Sequence, residues 1–517
     1  MQSASRRRFL SDIGKGMLVA SVGASLATDL GLGTVLADEP TGRLNFGQLE
    51  PLAALMQSTE PEKLMPLAVE KLKAGTDLKT LIGAAALANA RAFGGNDYIG
   101  FHTFMALGPA YAMSAEMPAD RRALPVLKVI YRNASRIQSV GAHEQDAMHH
   151  VEPSELPAAL SPAEAVQAAT RSGDMKRAEQ TFAAVSKGPA GEAFNHVQMA
   201  VEDEVDVHRV VLCWRAWSTL DLTGQEHAQT LLRQSVRYCV DAESKNLSHN
   251  RPGSPIRTLL PKLMEQHKLL SGTSGNRQAD DAWIDRMANL IADASREQAA
   301  EAVAAALAEG FMPADIGEAL SLAANQLVLR DPGRPKQWSN AEKPEGSVHG
   351  DSVGVHASDA ANAWRNIASA SNARNAVASL IVGAFHTAGQ VAHIGKAWYP
   401  APEHLEQVTS SDPAALIKEL GGAIQEKDQF RACALATRYG QLSQDARPVF
   451  DVLLKYAASE DGALHAEKYY RTAAEEFART RAAFRWRQVA ALARVTASEY
   501  GRPAPGYQQA CELLKIV

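Results

Sequence analysis

The 517-residue chain carries only four cysteines, Cys213, Cys239, Cys433 and Cys511, widely spread and with no C-x-x-C among them. That excludes a disulfide scaffold, a zinc ribbon, c-type haem attachment and a thioredoxin-like dithiol. Cys213 and Cys239 read either as buried small hydrophobes or as a pair between antiparallel helices. Aromatic residues make up 6% of the chain, too few for the aromatic-rich cleft of a polysaccharide-degrading enzyme. Charge is balanced, 53 Lys+Arg against 58 Asp+Glu for a net −5. With no basic run beyond the extreme N-terminus, no nucleic-acid partner is expected. Long apolar runs are missing too: Leu380-Ile381-Val382 is cut short by Gly383 and His386, so no stable membrane anchor is expected. There is no G-x-G-x-x-G, no H-E-x-x-H, no duplicated Glu-x-x-His of the di-iron bundles, and no alternating β-branched segment.

The N-terminus carries a specific signal. Ser5-Arg6-Arg7-Arg8-Phe9-Leu10 matches the twin-arginine export pattern S/T-R-R-x-F-L, and a weakly apolar stretch follows from Gly16 to Ala37, interrupted by Asp29. Residues 1–37 are therefore read as a twin-arginine signal peptide, with the mature chain starting near Asp38 in the periplasm or outside the cell. The export machinery is one expected partner. That route carries folded proteins, typically after they have acquired a cofactor.

Beyond the signal the chain reads as helix almost everywhere. Alanine is abundant and apolar residues recur at three- and four-residue spacing, as in Leu81-Ile82-Ala85-Leu87-Ala88. Ala473, Ala474, Phe477, Phe484, Ala491 and Leu492 share one side of a single long helix, on which Arg481 and Gln488 intrude. Ser161-Pro162-Ala163-Glu164 and Ser411-Asp412-Pro413 have the form of helix starts. The expectation is an all-α protein of many antiparallel helices in one large or two closely packed domains. Residues 38–330 form the first helical part, 331–348 an irregular linker or loop, and 349–517 the second helical part. Gly350-Asp351-Ser352-Val353-Gly354 matches G-x-S-x-G in letters only, because no strand precedes Ser352 as a nucleophile elbow needs. Glu202-Asp203-Glu204-Asp206 lacks calcium-loop spacing and reads as a solvated helix start.

Among the fifteen histidines, placement is informative. His102 and His208 lie in apolar helical surroundings. His349 and His356, and likewise His386 and His393, are seven residues apart, about two helical turns. Each reads either as a core residue bonded to a backbone carbonyl or as a metal ligand, since neutral imidazole suits iron, zinc and copper and helical bundles assemble such sites from separate helices. The candidate metal ligands are His102, His208, His349, His356 and His386, with Asp206 and Asp359 as outer partners. His143, His149 and His150 form a polar cluster that reads as a solvated turn or a flap. Arg132 reads as an anion contact or a helix brace.

Three segments resemble the questin oxidase-like family of all-α oxidoreductases. His208-Arg209-Val210-Val211-Leu212-Cys213-Trp214-Arg215-Ala216-Trp217 is similar to that family's F-H-P-L-I-x-L-G-Y-A helix. Val355-His356-Ala357-Ser358-Asp359-Ala360-Ala361 is similar to its M-H-x-V-T-S helix, and His102 with Thr103 to Leu107 to its early N-H-x-x-H-A-L segment. The chain departs from the pattern with Arg209 in place of proline and His349 in place of a lysine. The resemblance implies oxidative chemistry on a cyclic or phenolic small molecule at a histidine-bound metal. The combined expectation is an exported metal-dependent oxidoreductase with a mononuclear histidine site, non-haem iron first and zinc second. The alternative is a non-catalytic exported helical scaffold or ligand-binding protein.

Overall fold

The computed structural model describes residues 42–271, 275–391, 394–443 and 445–516. The twin-arginine segment, Asp38 and His393 lie outside them. Every regular element among these residues is a helix, and β-pairing is confined to three isolated bridges. The all-α expectation holds for the reason the composition suggests: alanine loses no side-chain entropy in a helix, and the periodic apolar residues give each helix a face to bury. The anticipated caps form. Ser161 and Glu164 bond reciprocally across the first turn of Pro162–Arg171, and Asp412 accepts the amides of Ala414 and Ala415. No helix among the described residues is long and apolar enough to cross a membrane.

Apolar side chains sort into two large clusters. One gathers helices from Glu50–Ser58 through Ala373–Ala388, and the other is built mainly from the helices between Pro413 and Glu499. The core does not change hands at residues 331–348, because Trp364, Ile367 and Phe385 beyond that segment pack into the first cluster. Residues 331–348 are irregular apart from a short turn at Lys336–Trp338, and Arg334 ties them back through backbone bonds with Ser347 and Gly346 and an ion pair with Asp351.

Two local expectations need correction. The long C-terminal helix is two helices, His465–Arg479 and Trp486–Glu499. Arg481 sits in the break, where it pairs with Asp281, Asp315 and Glu318, and Gln488 bonds to Ser321 and Asn325, which is why both intruded on a single apolar stripe. Glu202 and Asp203 are buried rather than solvated, paired with Arg374 and Arg171. The cysteines follow the first of their two readings: all four are free, and Cys213 and Cys239 are buried.

Four helices position the site: Tyr98–Glu116, Val207–Ser218, Val353–Ala370 and His465–Arg479, named below by their histidines. The His208 helix packs on the His102 and His356 helices, and the His465 helix packs on the same two, so the four close into a ring.

Candidate metal centre

Each of the four helices brings a histidine in at its first or second turn. His465 is the first residue of its helix, His208 the second, His356 the fourth and His102 the fifth. The starts are fixed locally. Asp97 caps the His102 helix at the amide of Gly100 and pairs with Arg136 at 2.6 Å. Asp206 caps the His208 helix and Ser352 the His356 helix. Ala463 and Leu464, both in the left-handed region at φ 48° and 67°, turn the chain sharply into His465. Arg132 acts as the brace, 3.5 Å from Asp461 at the base of that turn.

The rings meet in the same cyclic order as their helices. Centroids are 4.8 Å apart for His102 and His208, 5.6 Å for His208 and His356, 4.9 Å for His356 and His465, and 5.2 Å for His465 and His102. His102, His356 and His465 each offer a ring nitrogen such that all three lie within 4.8 Å of one another. Phe101 stacks on His102, and Tyr98 and Phe101 lie against both His102 and His208.

The outer hydrogen bonds decide which nitrogen is available. Nδ1 of His102 lies 2.6 Å from the carbonyl of Tyr98, Nδ1 of His356 3.0 Å from that of Ser352, and Nδ1 of His465 3.1 Å from that of Ala463. A carbonyl oxygen only accepts, so each Nδ1 carries the proton and each Nε2 presents a bare lone pair. Nε2 of His102 and of His208 are buried with no hydrogen-bond partner, while Nε2 of His356 and of His465 face each other at 3.3 Å. Two lone pairs at that distance repel unless a cation lies between them. Ligands of a tetrahedral metal with bonds of roughly 2.0–2.1 Å stand about 3.3–3.4 Å apart, so the spacing of this pair fits a metal, the third nitrogen lies within 4.8 Å of both, and the donor chemistry fits as well.

Burial keeps the imidazoles neutral. It lowers His102 to about 2 and His208 to about 4, and holds His356 and His465 below the usual value, with the positive charge of Lys468 acting in the same direction on all four. Buried polar side chains lie on the same helices: Asp359, which accepts from the Thr472 hydroxyl at 2.8 Å, Lys468 and Arg215. Tyr98, which lies against His102 and His208, is 61% exposed, so the ring cluster comes close to the surface on that side. Beside it lies a cavity of about 290 Å³ lined by Arg334, Trp338, His349, Asp351 and Ser352, the last of which supplies the carbonyl bonded to His356.

Of the five histidines expected as ligands, His102, His208 and His356 come together and His349 and His386 do not. His349 precedes the helix cap at Ser352, so its seven-residue spacing from His356 does not put both on one face; its Nδ1 lies 4.0 Å from Glu499. His386 is a core residue whose Nδ1 accepts from the indole of Trp364 at 3.2 Å. The expected outer carboxylates are replaced by carbonyls: Asp206 stays 3.8 Å from His208, and Asp359 bonds Thr472. His465 was missed. The available signal was its phase, four and eight residues before the buried Tyr469 and Ala473. His149 and His150 lie on a loop pairing with the segment near Arg43, away from these rings. No family model, curated protein or solved structure matches the chain.

Proposed function

We propose that the protein is a metal-dependent oxidoreductase, exported by the twin-arginine route, with a mononuclear centre held by Nε2 of His102, His356 and His465 and with His208 beside its open face. The observation that carries this reading is the set of three Nδ1–H groups committed to backbone carbonyls while three unprotonated Nε2 atoms converge without a proton to share. Three neutral nitrogens with no carboxylate suit iron or zinc. Non-haem iron is the first choice, because it would supply redox chemistry to a bound substrate; zinc, the second, would polarise a substrate oxygen. The chain's own residues shape the rest. The carbonyls of Tyr98, Ser352 and Ala463 orient the imidazoles, Phe101 and Tyr98 cover them, and the cavity beside Ser352 has room for a small molecule. The resemblance to the questin oxidase-like family supports a cyclic or phenolic substrate.

Metal analysis of untagged protein is the test. One equivalent of iron, with dioxygen consumed in the presence of a reducing substrate, is the expected outcome, and one equivalent of zinc would move the assignment to non-redox chemistry. Replacing His356 by Ala should release the metal and remove the melting-temperature increase it confers, since a ligand that binds only the folded state stabilises it. Protein that folds but takes up no metal would leave the helical binding scaffold. Arg6→Lys with Arg7→Lys should retain precursor in the cytoplasm, because lysine does not reproduce guanidinium geometry; full export of that double variant would refute the route.

A further inference from the structure

We propose that the cleft between the helices Gln429–Leu442 and Trp486–Glu499 is a second binding site, for a flat aromatic molecule bearing an oxygen acceptor such as a carboxylate. The inference does not depend on the metal reading, since none of the four histidine-bearing helices lines this cleft.

The cleft has a volume of about 370 Å³, enough for a small ligand. Four of its fourteen lining residues are aromatic, Trp398, Tyr399, Phe484 and Trp486, in a chain that is only 6% aromatic. The rings are held from outside the wall. Arg330 stacks 5.8 Å from the Trp398 ring and Arg494 4.2 Å from that of Tyr399, and neither arginine lines the cleft. Both guanidinium groups are themselves fixed. Arg330 donates to the Gly395 carbonyl and to Asp293, and Arg494 to Gln429 and the carbonyls of Val328 and Asp331. On another side Gly440 lets the Trp486 indole lie against the backbone, where a Cβ would come within 2.3 Å of the ring. Trp398 stays 40% exposed. Rings fixed in advance lose little further freedom when a flat ligand stacks on them.

The polar part of the wall offers donors. Among the described residues no carboxylate lines the cleft, and Arg487 is its one charged side chain. One guanidinium nitrogen of Arg487 donates to Asp285 at 3.0 Å, which offsets the charge but leaves further N–H groups. The amide oxygen of Gln441 accepts from Arg438, so its NH2 remains, and the indole N–H of Trp486 is buried with no acceptor among the described residues. Thr437 spends its hydroxyl proton on the Cys433 carbonyl. Donors without acceptors match a ligand oxygen, and the pairing of Arg487 with Asp285 means that this oxygen need not carry a full charge.

Calorimetric titration of the purified full chain with naphthoate tests this. One equivalent should bind, and cyclohexanecarboxylate, which cannot stack, should bind about tenfold more weakly or worse. Trp398→Ala should raise the naphthoate Kd about tenfold, and Trp398→Phe, which keeps a ring, should recover part of the affinity. Arg487→Met should also weaken naphthoate, by about tenfold for a hydrogen bond to a charged group. His356→Ala should bind it as the wild type does. The comparison of the two acids on the wild type holds even if a variant fails to fold. No binding to the wild type, equal affinity for the two acids, an unchanged Kd in Trp398→Ala or Arg487→Met, or loss of binding in His356→Ala would overturn the proposal. Absence of metal from the wild type would overturn the metal reading and leave this site standing.

Discussion

Gly350 shows how closely the site is determined at the level of single atoms. A Cβ at this position would lie 2.2 Å from Cβ of His465 and 2.9 Å from Oε1 of Glu499, the carboxylate that accepts the Gly350 amide. Gly350→Ala must therefore displace His465 or the chain before it. We expect a loss of about 1–3 kcal/mol in stability, the usual range for overpacking, and a larger fall in metal affinity, read by a cobalt titration beside a denaturation curve. Gly108, on the His102 helix, has no atom within 4 Å of such a Cβ. Gly108→Ala should be stabilising by up to about 1 kcal/mol and leave metal affinity alone. At this scale the sequence reveals which histidines are unusual, since His102, His208 and His356 stand among apolar neighbours. It does not reveal that His386 spends its lone pair on Trp364, because Trp364 is on another helix and the partnership exists only after packing.

Among the elements, helices were legible and their meeting point was not. Periodic alanine and leucine predict helix, and caps such as Ser161 and Asp412 predict where it starts, because both are local properties. His465 illustrates the limit. It follows two residues in left-handed conformation, so no periodicity upstream announces it, and its burial is set by Tyr469 and Ala473 downstream. The seven-residue pairing of His349 with His356 failed for the opposite reason: the spacing was right but only one member lies in the helix. Caps at the site should matter differently from caps elsewhere. Asp97→Ala and Asp412→Ala should each lower stability by about 1 kcal/mol. Only the first should also weaken metal binding, since it frees Arg136 and loosens the turn whose Tyr98 carbonyl orients His102. Equal metal affinity in the two variants would contradict that link.

For the whole molecule, buried titratable groups set the response to acid. Burial lowers His102 to about 2 and His208, His349 and His386 to about 4, and depresses His356 and His465 as well. Unfolded histidines take up protons near pH 6.5, so below that pH the unfolded chain binds more protons than the folded one. Stability then falls as pH falls from about 6.5 towards about 4. Glu202 and Glu499, raised by burial to about 7, act oppositely: the folded chain holds their protons as pH rises above the unfolded carboxylate range. The histidines outnumber them. Metal-free protein should therefore melt at a lower temperature at about pH 4.5 than at about pH 7, and calorimetry across that range would show the opposite slope if the carboxylates dominated.

The four imidazoles come from widely separated stretches of chain, the last of them behind a turn at Ala463 and Leu464. A nascent chain released before that turn emerges can hold two or three of these rings but never the converging set. If the proposed centre binds a metal, a chain truncated before Ala463 should bind none, because the converging set needs His465.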